Sequence, residues 1–169
     1  MICKILGAGM ILCSCTGYGF FLASRLRREE TALTQLAGTL EWMICELEYR
    51  QTPLPELCTL ASGRGGILEQ VFFSLGAQLD QSYVRDAAGC MERAIEQAGN
   101  LPPRTGHLLW ELGRTLGKFD LKGQILGLQS VHALCVRDLG EVQHNLSLRL
   151  RGYRTLGICA GVALVIILL

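Results

Sequence analysis

Chemistry needs nucleophiles, proton carriers or metal ligands at workable spacing, so histidines and cysteines are the first residues to place. The chain has 169 residues, with three histidines and eight cysteines. His107, His132 and His144 lie far apart and form no His-Glu-x-x-His motif, so no metal site is expected. His132 falls among apolar residues, where a histidine is more often a hydrogen-bonded core group than a catalyst. No two cysteines have Cys-x-x-Cys spacing. Cys3, Cys13, Cys15 and Cys159 lie in or beside strongly apolar segments, and Cys45, Cys58, Cys90 and Cys135 are scattered singly. They read as small apolar fillers with reduced thiols. Gly63-Arg64-Gly65-Gly66 is rich in glycine but follows a helical pattern rather than a strand, so it reads as a turn and not a phosphate loop. There is no Gly-Lys-Ser/Thr and no Gly-x-Ser-x-Gly. These residues predict no catalytic group, no metal and no cofactor.

Half the residues are hydrophobic and only 18% are charged, and the deficit of charge sits at the two ends. Ile5 to Ala23 carries no charged residue, and at about 1.5 Å per residue it nearly matches a bilayer core of roughly 30 Å. Leu156 to Leu169 is also uncharged but spans only about 21 Å, short for a full crossing. A buried core helix is the alternative for that tail. A cleaved signal peptide is the alternative for the first segment, but Arg25, Arg27 and Arg28 follow it directly and oppose translocation. Arg149, Arg151 and Arg154 form a second basic collar just before the tail. Between the collars, from 29 to 148, nine basic residues face fifteen acidic ones, a net of −6. By the positive-inside rule both collars, and the acidic body with them, face the cytoplasm, the collars against membrane lipid. The acidic body argues against nucleic acid.

The body reads as helices throughout. Leu33, Leu36, Leu40, Ile44 and Leu47 mark an amphipathic helix over 31–50. Pro53 and Pro55 break it, with Thr52 placed to cap a short helix through Leu54, Leu57 and Leu60. A third helix covers 67–79 with Val71, Phe72, Leu75 and Leu79. A fourth is capped by Asp80 or Ser82 and carries Met91, Ala94, Ile95 and Ala98 inward. Gly99 and Asn100 end it, before Pro102 and Pro103. A fifth runs over 105–116 through Leu108, Leu112 and Leu116. From Asp120, apolar positions at 121, 125, 128, 132, 135, 139, 142 and 146 follow a heptad seam. With no proline after Pro103, this sixth helix continues toward the tail, a rod of about 75 Å. The fold class is all-α: an antiparallel bundle of about six helices, the first and last continuing into membrane anchors. The expected divisions are an anchor at 1–24, a helical bundle at 25–154 and a second membrane segment at 155–169, where Gly157 and Gly161 form a Gly-x-x-x-Gly packing pair.

LGRTLGKFD at 112–120 is the most distinctive block. Gly117 suits the left-handed position past a helix end, with Arg114 and Lys118 near the orphan carbonyls. Asp120 suits the N-cap of the sixth helix, and Gln124 lies one turn inside. Gly113, inside the fifth helix, lets another backbone come close.

The apolar start with Arg25 to Arg28, ThrProLeu at 52–54, and Leu112-Gly113, Leu116-Gly117, Asp120 and Gln124 together carry a resemblance. So do TyrArgThrLeuGly at 153–157 and the aliphatic end. The chain resembles the stage III sporulation protein AB family of endospore-forming bacteria. That family is similar to the cytoplasmic domains of inner-membrane platform proteins in type II secretion and type IV pilus systems. The resemblance implies a non-enzymatic scaffold of a channel joining mother cell and forespore, in the mother-cell membrane around the forespore. It implies a co-encoded secretion-type ATPase and other channel proteins as partners, or assembly as a homo-oligomer. The partner-facing end is expected around Pro53, Gly99 to Pro103 and the 112–120 corner. A membrane-anchored regulator signalling through the long heptad helix is the other reading.

Overall fold

The computed structural model describes the backbone of residues 2–81, 86–117 and 120–168, and the side chains of residue 21 and of 24–146 within those ranges. Six α-helices follow in order: α1 Ile2–Tyr49, α2 Leu54–Ser62, α3 Glu69–Gln81, α4 Ala87–Ala98, α5 Pro103–Thr115 and α6 Leu121–Leu168. No strand occurs among the described residues. The first and last helices each run unbroken for 48 residues. The side chains of both expected anchors, residues 21 and 24 apart, and those of Arg149, Arg151, Arg154, Gly157 and Gly161, lie outside the described residues. Among the described residues no helix is long and apolar enough to cross a membrane.

The chain divides into two compact units. One comprises Met1–Arg28 with Glu141–Leu169, and the other comprises Glu29–Gly140. The second unit is an antiparallel bundle, and its contacts show why. Gly76, midway along α3, comes against Pro55 and Thr59 of α2. Ser74 of α3 donates to Gln97, late in α4, at 2.6 Å. Gly113, late in α5, abuts Met91 and Ala87, early in α4. The Cys135 thiol of α6 donates to the Leu33 carbonyl of α1 at 3.4 Å. Successive helices therefore reverse direction. The α1–α2, α3–α4 and α5–α6 connections share one end, here the corner end. The α4–α5 connection lies at the other, where Arg104 meets Glu29 at 3.8 Å, and the α2–α3 turn lies part-way along α1.

The core is mainly aliphatic, with Leu33, Leu36, Leu40, Leu109 and Leu112 fully buried around Phe72. Burying each such side chain contributes about 1.5–3 kcal/mol. The α2–α3 turn is fixed to α1 twice. The Ile67 amide donates to the Gln35 carboxamide at 3.0 Å, and the Arg64 guanidinium lies 5.3 Å above the Trp42 ring. Gly65 and Gly66 hold φ of 74° and 90° there, the left-handed backbone that this turn requires.

Several expected details differ. Met43 is buried while Ile44 is half-buried, so the α1 stripe is rotated slightly. In α2, Leu60 is 46% exposed, and Cys58 and Ala61 face the core with Leu57. Thr52 caps nothing: its hydroxyl donates to Glu46 at 3.4 Å, and Pro53 occupies the N-cap of α2. Asp80 lies inside α3, Ser82 lies outside the described residues, and Asp86 is the N-cap of α4 without a side-chain capping bond. In α6, Val131 is buried and His132 is only half-buried, because the interior stripe there runs Leu128, Val131, Cys135.

Candidate functional site

The corner end holds a pocket of about 280 Å³. It is built where three connections converge. From α1 and the following link come Leu47, Gln51, Thr52 and Pro53; α2 adds Leu54 and Pro55; α3 and α4 add Leu79 and Ala87; the last corner adds Gly117, Leu121 and Gln124. Residues 52–54 and the end of the other distinctive stretch, Gly117, Leu121 and Gln124, thus meet at one place despite their separation along the chain.

The last corner is shaped by backbone chemistry. Helix α5 ends when Leu116 turns extended, at φ −69° and ψ 138°, its amide still bonded to Leu112. Gly117 follows at φ 74°, where a Cβ would clash with backbone. Asp120 then starts α6: its carboxylate accepts from the Gly123 amide at 3.1 Å, and its carbonyl accepts from the Gln124 amide at 2.9 Å. Gln124 is half-buried in the pocket wall. Leu112 and Leu116 are buried in the core. Gly113 is a contact point between helices: a Cβ there would lie 2.6 Å from the Met91 Cβ and 3.4 Å from the Ala87 carbonyl. Lys118 lies outside the described residues.

Two features at this end were not legible in the sequence. Gln51 adopts φ 52°, a left-handed conformation that costs a non-glycine residue about 1–2 kcal/mol. It closes α1 and turns its chain into the pocket rim. Gly127 of α6 sits 3.0 Å from the Thr115 Cβ, measured from where its own Cβ would be, so α5 and α6 pack closely just inside the corner. A glycine inside a heptad pattern was the available signal.

The Gly99–Pro103 connection does not join this site. It lies at the opposite end, beside Glu29, because α4 runs away from the corner end and α5 runs back. Grouping it with Pro53 and residues 112–120 is therefore corrected. Arg25, Arg27 and Arg28 are exposed and belong to the other unit.

The arrangement offers binding and shape. Among the described residues no group of three or more His, Cys, Asp or Glu is placed to hold a metal. Glu141 and His144 have Glu-x-x-His spacing, and both are exposed on α6. His107 is exposed, with its ring 6.3 Å from Trp110. Burial pushes the Cys58 thiol up to about 12 and, with the nearby Asp138 charge, the Cys135 thiol up to about 11, so both are inert at neutral pH.

Fold and site together define a helical bundle domain with a pocketed corner, whose first and last helices are the longest. The chain belongs to the stage III sporulation protein AB family, whose model matches residues 4–169, and so to the proteins of sporulation. A solved structure of a stage III sporulation protein AB (SpoIIIAB) superposes with a TM-score of 0.62. It shares 18% identity, and the alignment covers 71% of this chain and 97% of that one, a likeness that shows the fold. No curated protein matches the chain.

Proposed function

We propose that this protein is a non-enzymatic scaffold of a secretion-like channel between mother cell and forespore. Its apolar ends anchor it in the mother-cell membrane, and the two arginine collars seat it on the cytoplasmic leaflet. The corner end receives the partners, among them the co-encoded secretion-type ATPase and other channel proteins. The convergence of residues 52–54 with Gly117, Leu121 and Gln124 on one pocket carries this reading. A wall of leucine, proline and alanine with Gln51, Thr52 and Gln124 at its edge suits a protruding apolar side chain and the polar backbone around it.

The unbroken 48-residue α6 favours a second reading, a membrane-anchored regulator that signals along this helix. Deleting the protein in sporulating cells separates the two. A scaffold's loss prevents channel assembly, read as failure of the other channel proteins to co-purify. Assembly of an intact channel with altered timing would instead support the regulator. Capture of the ATPase by the full-length chain is the expected positive result, and its loss on Gln124→Arg locates the contact at the corner.

A further inference from the structure

The corner pocket has an apolar wall and a rim of one sign. Among the described residues no charged side chain lines it. Charge begins one residue further out. Glu46, Glu48, Glu56, Asp80, Asp86 and Asp120 each stand next in sequence to a lining residue, against Arg50, Lys118 and Lys122. The net is −3, half of the −6 carried by the whole body. These acids are spread over the three connections of the corner end, so only the fold brings them together. Neighbours in sequence stand about 3.8 Å apart at the backbone, well inside the roughly 8 Å over which charge acts in physiological salt.

Ion pairs do not cancel this rim. Arg50 is taken by Glu46 at 3.2 Å. Glu48, Glu56, Asp80 and Asp86 are exposed and form no ion pair among the described residues. The Asp120 carboxylate accepts from a neutral amide rather than a cation. Size and sign together then select an occupant. At about 280 Å³ the pocket lies just below the roughly 300–1,000 Å³ usual for cofactors and small ligands, and it suits one or two side chains. An acidic mouth repels phosphates, nucleotides and anionic lipid headgroups. It attracts and orients a cationic segment.

We propose that the corner pocket holds one large apolar side chain of a partner segment whose flanking residues are lysines and arginines. This rests on the corner being the partner face, as proposed above. The apolar side chain enters between the leucines, and the segment's backbone meets Gln51, Thr52 and Gln124 at the edge. Its cations reach the carboxylates outside, which steer the encounter and set its orientation.

The test displays a library of short random peptides to the full-length chain in detergent micelles. The selected peptides are expected to carry a leucine, isoleucine, methionine or phenylalanine beside lysines or arginines. Gln124→Arg is expected to abolish their binding. Neutralising the rim with Glu48→Gln, Glu56→Gln, Asp80→Asn and Asp86→Asn together is expected to weaken it about tenfold or more, mainly through slower association. Raising the salt on the wild type is expected to do the same and needs no variant. No selected peptide, a motif without cations, or binding insensitive to rim and salt would overturn the proposal. Self-association through the chain's own Arg25-Leu26-Arg27 or Arg149-Leu150-Arg151, lost on Gln124→Arg, would assign the pocket to a second copy and overturn it too. Capture of channel proteins by the same variants keeps two failures apart. If capture depends on Gln124 while the peptides show no basic motif, the chemistry fails and the partner face stands. If the peptides behave as expected while capture ignores Gln124→Arg, the partner-face reading fails and the pocket's chemistry stands.

Discussion

Asp120 shows how one residue fixes a corner. Its carboxylate satisfies the Gly123 amide, which would otherwise be an unpaired donor at the start of α6. Replacing it with alanine is expected to cost about 0.5–2 kcal/mol, read as a lower denaturant midpoint with an unchanged slope. This role was legible beforehand because an aspartate stands just after Gly117 and just before an apolar-periodic run. The left-handed Gln51 was not legible, since glutamine carries no turn preference and only the convergence of α1, α2 and α6 forces it. The buried thiols give a pH dependence with a definite sign. Cys58 and Cys135 titrate at about 12 and 11 in the fold against 9.0 when exposed. The unfolded chain therefore loses these protons first as pH rises. Stability from this source is complete below pH 9 and falls as pH climbs from 9 through 11 to 12. Melting temperatures across that range check it. At pH 8 a thiol reagent is expected to label the exposed Cys45 quickly, and Cys58 and Cys135 only on unfolding.

Helix order and helix number follow from periodicity and from four prolines, two of which precede α2 and α5. The rotation of α2 did not follow, because its stripe of Leu54, Leu57 and Leu60 looks better in sequence than Leu57, Cys58 and Ala61. Which face is covered depends on tertiary packing, and Leu60 is left 46% exposed. The same applies to His132, displaced from the interior by Val131 once α6 settles against Leu33. Two glycines test this view of the packing. Gly113→Ala sets a Cβ 2.6 Å from that of Met91, so α4 and α5 must separate. Gly140→Ala meets nothing within 4 Å. The first is expected to destabilise despite its better helix propensity, and the second to stabilise by about 1 kcal/mol. Effects of the same sign would show that Gly113 is not a contact between helices.

For the whole molecule, alternation of helix direction sorts the functional surfaces. Glu29 and the Gly99–Pro103 connection share one end of the bundle, and residues 52–54 and 117–124 share the other. The exchange of charge for apolar residues at the chain ends was plain from composition, whereas this sorting needed the contacts. Exchanging Arg149, Arg151 and Arg154 for glutamate is expected to misplace the protein, read by membrane fractionation and protease protection. Normal behaviour of that variant would remove the collars from the account. Photocrosslinking in sporulating cells tests whether the corner end is the partner face. A photoreactive residue at Gln51 is compared with one at Asn100, both exposed and at opposite ends of the bundle. The account predicts adducts with the ATPase or another channel protein from position 51 and none from position 100. Channel adducts from position 100 alone, or from neither, would contradict it.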